Sequence, residues 1–202
     1  MKRPIKSVAA LEEYGRTRLS DSFFMRDFLF SDIAAIHGLS NVPHDAGLAV
    51  EAGTRLCTEV LEPLQTKFGR LAIRSAYRSQ AVNAFGNEHR LNCASNEANR
   101  AGHIWDLRDS AGRMGATACV VMPRFWDRFQ KTGDWQLLAW WIHDHLTYSS
   151  LYFFPTRWAV NIAWREEPER RIDSYTDPKG CLTKPGMANH DGSHEDLWAR
   201  LE

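Results

Sequence analysis

Between Asp45 and Phe68 the apolar residues Leu48, Ala52, Leu56, Val60, Leu61 and Leu64 recur near a helical period, which predicts a long amphipathic helix that Gly69 ends. The rhythm then changes. In "LAIRSAYRS" (71–79), Leu71, Ile73 and Ser75 alternate with Ala72, Arg74 and Ala76, the pattern of a strand running into a turn, and Ser79 can cap a helix starting at "SQAVNAFG". Upstream, "SDSFFMRDFLFSD" (20–32) predicts a short helix, followed by a loop broken at Gly38 and Pro43. Downstream, "GHIWDLRD" predicts a short strand and "SAGRMG" a turn, while "ATACVVMP" (116–123) is too short for periodicity to separate a strand from the start of a buried helix. "DWQLLAWWIHDHL" (134–146) predicts a helix, and the aromatic and β-branched runs "SLYFFP" and "WAVNIAW" predict paired strands joined by a proline turn. The Asn- and Ser-rich stretch 86–99 has little apolar periodicity and reads as a loop, either ordered over a site or on the surface. From Arg165 on, the late Pro and Gly predict an extended tail laid over the domain.

A chain of 202 residues with 44% hydrophobic positions can bury a core of its own, and its length favours one domain with terminal extensions. The divisions expected are an N-terminal extension (1–21), a central domain (22–166) and the C-terminal tail (167–202). Lys and Arg (25) balance Asp and Glu (25), so no broad field is available to hold a polyanion or an acidic membrane, and neither nucleic acid nor membrane is an expected partner. The first twenty residues lack the apolar core of a signal peptide, and no stretch reaches the length of a spanning helix, so the expected location is cytoplasmic. Cys57, Cys93, Cys119 and Cys181 are widely spaced without a CxxC pair, which suits reduced thiols.

Four segments in order resemble the zinc-dependent D-alanyl-D-alanine carboxypeptidases and related phage peptidoglycan endopeptidases of the Hedgehog/DD-peptidase fold. They are "FFMRDFLFSD" with the helix ending "VLEPLQTKFG"; "IRSAYRS", similar to the family's strand into a Tyr-Arg-Ser turn; "NRAGHIWD", similar to its His-x-x-Gly-x-Ala-x-Asp; and "LLAWWIHDHLTYSSLYFF" followed by "AVNIAW", similar to its helix, acidic strand and final Trp-Val-His strand. The resemblance covers roughly residues 22–166. It implies an α+β fold with a small antiparallel sheet flanked by helices, a zinc ion or another divalent metal held by two His and one Asp, a glutamate acting as base on metal-bound water, and an arginine steadying the substrate.

Carried over residue by residue, Asp106 falls on the aspartate ligand, Gly102 on the glycine, and Arg78 with Tyr77 and Ser79 on the Tyr-Arg-Ser turn. Asn99 stands at the first His, Asn161 at the last, and Phe154 near the glutamate. An amide oxygen is a weak zinc ligand and a phenylalanine cannot take a proton.

Two function classes follow. One is a diverged metallopeptidase or amidohydrolase of peptidoglycan type, with Asp106 and His103 on the metal and Arg78, Tyr77, Ser79, Asn99 and Asn161 on the substrate. The other is a catalytically silent module that binds a peptide or cell-wall fragment in the same cleft, or does different chemistry there. On a strand His103 and Asp106 would point to opposite faces, so joint ligation needs a bulge or turn between them. Further clusters are His143 and His145, whose rings diverge on a helix; His190 and His194, in a stretch that Gly192 marks as loop; and Cys93 with His89 four residues away. The aromatic runs around Trp140, Trp141, Phe153 and Phe154 read as core.

Overall fold

The computed structural model describes residues 5–201, with only the backbone at Arg157. The chain is α+β. Helix α1 (Val8–Gly15) and a 3-10 turn (Met25–Phe28) precede α2 (Asp32–His37). The long apolar stripe forms α3 (Ala46–Leu56), a π turn (Cys57–Leu61) and α4 (Glu62–Phe68) as one unbroken rod. Asp45 caps it by accepting the Leu48 amide at 3.0 Å, and Gly69, at φ +81°, ends it. The widened turn lies just before Pro63, which has no amide hydrogen for a regular helical bond.

Next come β1 (Ala72–Ser75), α5 (Gln80–Glu88) and α6 (Asn96–Asn99). They are followed by β2 (Gly115–Val121), α7 (Pro123–Thr132) and α8 (Gln136–His145). Strands β3 (Ser150–Phe153), β4 (Val160–Arg165), β5 (Arg171–Ser174) and β6 (Gly180–Thr183) lead to α9 (Glu195–Trp198).

The six strands form one sheet in the order β1-β2-β4-β3-β5-β6. All pairs are antiparallel except β3 with β5, so the sheet is mixed and larger than the small antiparallel one expected. The difference arises in the segment expected to be an extended tail: β5 and β6 extend the sheet, and α9 docks on α8.

Strand alternation gives the sheet two unlike faces. Ala116, Ala118 and Val120 of β2, Val160 and Ile162 of β4, Leu151 and Phe153 of β3, and Ile172 of β5 are all buried. Helix α3 packs on β2 and β4, and Leu56, Val60, Leu61 and Leu64 join the same core. The opposite face carries one residue from each strand in a continuous row: Ser75, Cys119, Asn161, Tyr152, Asp173 and Cys181 sit directly opposite one another across all six strands. Of these, Ser75, Cys119, Asn161 and Tyr152 are only half-buried.

No helix among the described residues is long and apolar enough to cross a membrane.

Candidate functional site

The stretch "GHIWDLRD" is not a strand. Residues 101–106 make turns, laid over the second face of the sheet at the start of β2. The Thr117 amide donates to Gly102 O at 3.0 Å, the Trp105 indole to Thr117 O at 3.1 Å, and a Cβ at Gly115 would collide with Ala101 O. Those contacts need a glycine at 115, and they hold His103 over the half-open row.

Arg78 reaches the same place from β1. The turn that carries it is fixed through its backbone: the Arg78 amide donates to His103 O at 2.8 Å and the Tyr77 amide to Phe28 O at 3.2 Å. Asn41 clamps it further, its side-chain amide donating to Leu29 O (2.9 Å) and Tyr77 O (3.0 Å) while its oxygen accepts the Ser79 amide at 2.7 Å. Nothing in the sequence pattern singled out Asn41, which lies in the loop between Gly38 and Pro43.

Three of the expected substrate-binding residues turn out to be committed inward. The Tyr77 ring is fully buried and meets Trp105 edge-on. Ser79 caps α5, accepting the Val82 amide, and its hydroxyl donates to Ser40 O at 2.9 Å. Asn99 donates to Asn83 at 2.8 Å, and Asn83 in turn donates to Ala94 O and Asn96. This amide ladder gives the Asn-rich stretch its order: 86–99, expected to be a loop, holds the end of α5 and all of α6, with α6 pinned to α5 through Asn83, Asn96 and Asn99.

Arg78, His103 and Asn161 do come together. Half-buried Arg78 donates to Cys93 Sγ at 3.4 Å and to Ser75 Oγ at 3.3 Å, and among the described residues no carboxylate lies within ion-pair distance of it. Burial pulls its guanidinium below the ordinary value, with Cys93 and Cys119 acting the other way. Burial, and then the Arg78 charge, press His103 down to about 3, so its ring is neutral near pH 7. Its Nδ1 donates to Ala76 O at 2.6 Å, which leaves the Nε2 lone pair facing the row, where Asn161 Nδ2 lies at a loose 3.5 Å. Among the described residues, the site thus presents a half-buried guanidinium with no carboxylate in reach and a half-buried amide, with the His103 ring buried (6% exposed) beneath them.

Asp106 has other company. Its Oδ2 accepts the His44 amide at 2.7 Å, just ahead of α3, while Oδ1 has no hydrogen-bond partner among the described residues. The Tyr77 hydroxyl is near enough to perturb Asp106, yet it too lacks a hydrogen bond of good geometry. Burial pushes the Asp106 carboxyl up, and the backbone amides of His44 and Asp45 work against that rise.

At the three positions carried over, the Asn99 amide nitrogen is bonded to Asn83, Asp106 Oδ2 accepts the His44 amide while Oδ1 has no partner among the described residues, and the Asn161 amide nitrogen faces His103, so the oxygens these positions offer a divalent metal are one carboxylate and two weakly ligating amides. His103 and Asp106 have separate partners, and no group of three or more His, Cys, Asp or Glu side chains among the described residues is placed to hold a metal.

The other clusters resolve as follows. His89 is exposed and stacks on Phe85, away from the Cys93 thiol, which faces Arg78. All four cysteines are free. Trp140, Trp141 and Phe153 are buried, but Phe154 is half-exposed on the second face.

The C-terminal segment brings His190 and His194 beside His143, and His143 and His190 line an open polar cavity of about 510 Å3. His143 Nδ1 meets the Tyr148 hydroxyl at 2.6 Å and its Nε2 donates to His190 O at 2.8 Å. His194 faces Asp144 at 2.7 Å and Asn189 O at 3.0 Å. Asp144 also accepts the His194 amide and the Trp198 indole, both at 2.7 Å. These bonds fasten residues 189–198 to the end of α8, leaving His143 and His194 no ring nitrogen for a metal.

No model of a known protein family, no curated protein and no solved structure matches the chain.

Proposed function

We propose that the second face of the sheet is a binding site for a small ligand or peptide end that bears a carboxylate, with Arg78 as its anchor and no metal-assisted hydrolysis. Of the two classes considered from the sequence, this is the binding module, and a cell-wall stem peptide is the ligand that the family resemblance suggests. The observation that carries the proposal is the state of Arg78: a half-buried guanidinium on a turn held at Tyr77, Arg78 and Ser79, with a thiol and a hydroxyl as its side-chain partners among the described residues. Taking a cation out of water is costly unless an anion meets it, and a carboxylate matches the guanidinium fork in two parallel bonds. Half-buried Asn161, oriented by the buried His103 Nε2, lies on the same face to meet the polar groups next to such a carboxylate.

The test is calorimetric titration with N-acetyl-D-Ala-D-Ala, its L enantiomer, and the C-terminal amide of each. Binding of an acid with the amide at least tenfold weaker, and loss of that preference in Arg78→Gln, is expected. Charge-assisted bonds of about 1.5–3 kcal/mol correspond to roughly 10- to 150-fold in affinity. Equal affinity for acid and amide, or metal-dependent cleavage of the peptide, would overturn the reading.

A further inference from the structure

The row that holds Asn161 continues to a feature that Arg78 does not use. Tyr152 stands directly opposite Asn161 on β3, and its ring lies 4.8 Å from Tyr175 and 6.0 Å from Phe154, with Phe154 and Tyr175 5.7 Å apart. The three rings lie at 28° to 34° to one another, closer to parallel than to edge-on. Tyr175 is 55% exposed and the other two are half-buried, so the aromatic surface is open on the same face as the unneutralised guanidinium. On the opposite face, by contrast, the aromatic Phe153 between them is 1% exposed.

Resting on the carboxylate reading above, we propose that Tyr152, Phe154 and Tyr175 form a second subsite that takes a flat ring of the same ligand, so that the preferred ligand is an acylated peptide acid with an aromatic group at its far end. Sheet geometry sets the ligand's length. Cys119, beside Arg78, and Tyr152 are two strands apart, which is about 10 Å at the usual strand spacing. A dipeptide spans that distance between its carboxylate and an N-terminal blocking group. Its amide groups pass over half-buried Asn161, whose amide nitrogen faces the buried His103 Nε2. A ring laid on three near-parallel aromatic side chains adds its stacking contact to the area it buries, about tenfold or more in affinity.

Benzyloxycarbonyl-Ala-Ala and acetyl-Ala-Ala share the carboxylate and both amides and differ in the ring, so they separate the two subsites. By calorimetry on the full chain, the benzyloxycarbonyl acid should bind at least tenfold tighter than the acetyl acid. Tyr175→Ala, at an exposed position, and Tyr152→Leu, which keeps a strand-compatible side chain, should each remove most of that gain while leaving acetyl-Ala-Ala affinity and the melting temperature near the parent values. Equal affinity for the two acids, each still tighter than its amide, overturns the aromatic subsite and leaves the carboxylate site standing. A ring preference that survives both substitutions also overturns it, because the ring then sits elsewhere. No binding of either acid overturns both readings together.

Discussion

Replacing Asp106 separates a structural carboxyl from a metal ligand. Its side chain is 5% exposed, its Oδ2 accepts the His44 amide at 2.7 Å, and its Oδ1 and the neighbouring Tyr77 hydroxyl lack hydrogen-bond partners among the described residues. Asp106→Ala leaves the His44 amide without its acceptor, a loss of about 1–3 kcal/mol for a buried group. Asp106→Asn keeps an amide oxygen for His44, offers an N–H toward Tyr77, and removes a charge from an interior that disfavours it. Its stability at pH 7 should lie within about 1 kcal/mol of the parent, on the stabilising side.

The sign of the pH dependence follows from the direction of the shift. Burial raises the folded-state carboxyl above its unfolded value, so the folded protein holds the proton more tightly. The contribution is then full below the unfolded value and is lost as pH rises through the folded one. Asp106→Asn should gain on the parent with rising pH and converge with it in acid. Urea denaturation of the three proteins from pH 4 to pH 8 reads both effects. A loss of 3 kcal/mol or more in Asp106→Asn, or identical behaviour of Asn and Ala, would refute the assignment, since a required negative charge at 106 would then have to be explained by a cation.

Three further outcomes are expected. Asn41→Ala removes three hydrogen bonds from the turn that carries Arg78, and should cost roughly 2–4 kcal/mol in denaturation and weaken binding of acetyl-Ala-Ala more than that of its amide. His103, held down at about 3 against an ordinary 6.5, must take up a proton when the chain unfolds in acid. Stability should therefore fall as pH drops from 6.5 toward 3, and the His103→Gln profile should be flatter over that window. Asp144→Ala withdraws the acceptor of both His194 donors and of the Trp198 indole, and should cost about 3 kcal/mol and speed proteolysis within residues 184–201; an unchanged cleavage rate there would mean that the segment is fastened by something else.

The elements legible in the sequence were those whose signal is local. Helix 46–68 showed in its apolar spacing and its glycine stop, although the π turn before Pro63 did not. Ser79 showed as a cap because its oxygen serves the Val82 amide three residues on, a local signal, whereas the bond from its hydroxyl to Ser40 O is long-range and did not show. Helix α7 carries local marks as well, Pro123 at the first turn, Phe125 and Phe129 four apart, and Gly133 at the end. "GHIWDLRD" misled because a few alternating residues also occur in a turn, and its shape is set by Gly115 and Thr117 on another segment.

Strands β5 and β6 were hidden by composition: Arg171, Asp173 and Gly180 suit sheet edges and loops alike, and it is the pairing of β5 with β3 and of β6 with β5 that makes them strands. Of the candidate site, Arg78 could be read from its turn and Asn161 from the resemblance. The transverse row could not, because it depends on the register of five strand pairs, three of them between segments far apart in the chain, where a slip of one residue would turn its members to the other face. For the same reason Phe154, read as core along with Phe153, emerged on the open side.

The measurement that bears most directly on the central claim is nuclear magnetic resonance of the Arg78 guanidinium, assigned through Arg78→Lys, while acetyl-Ala-Ala is added to chelator-treated protein. A saturable shift of the Arg78 side-chain signals that the C-terminal amide does not produce is the expected result, with the same midpoint when zinc is restored. An Arg78 that stays unmoved at saturating peptide, or that responds only with zinc present, would contradict a metal-independent carboxylate site.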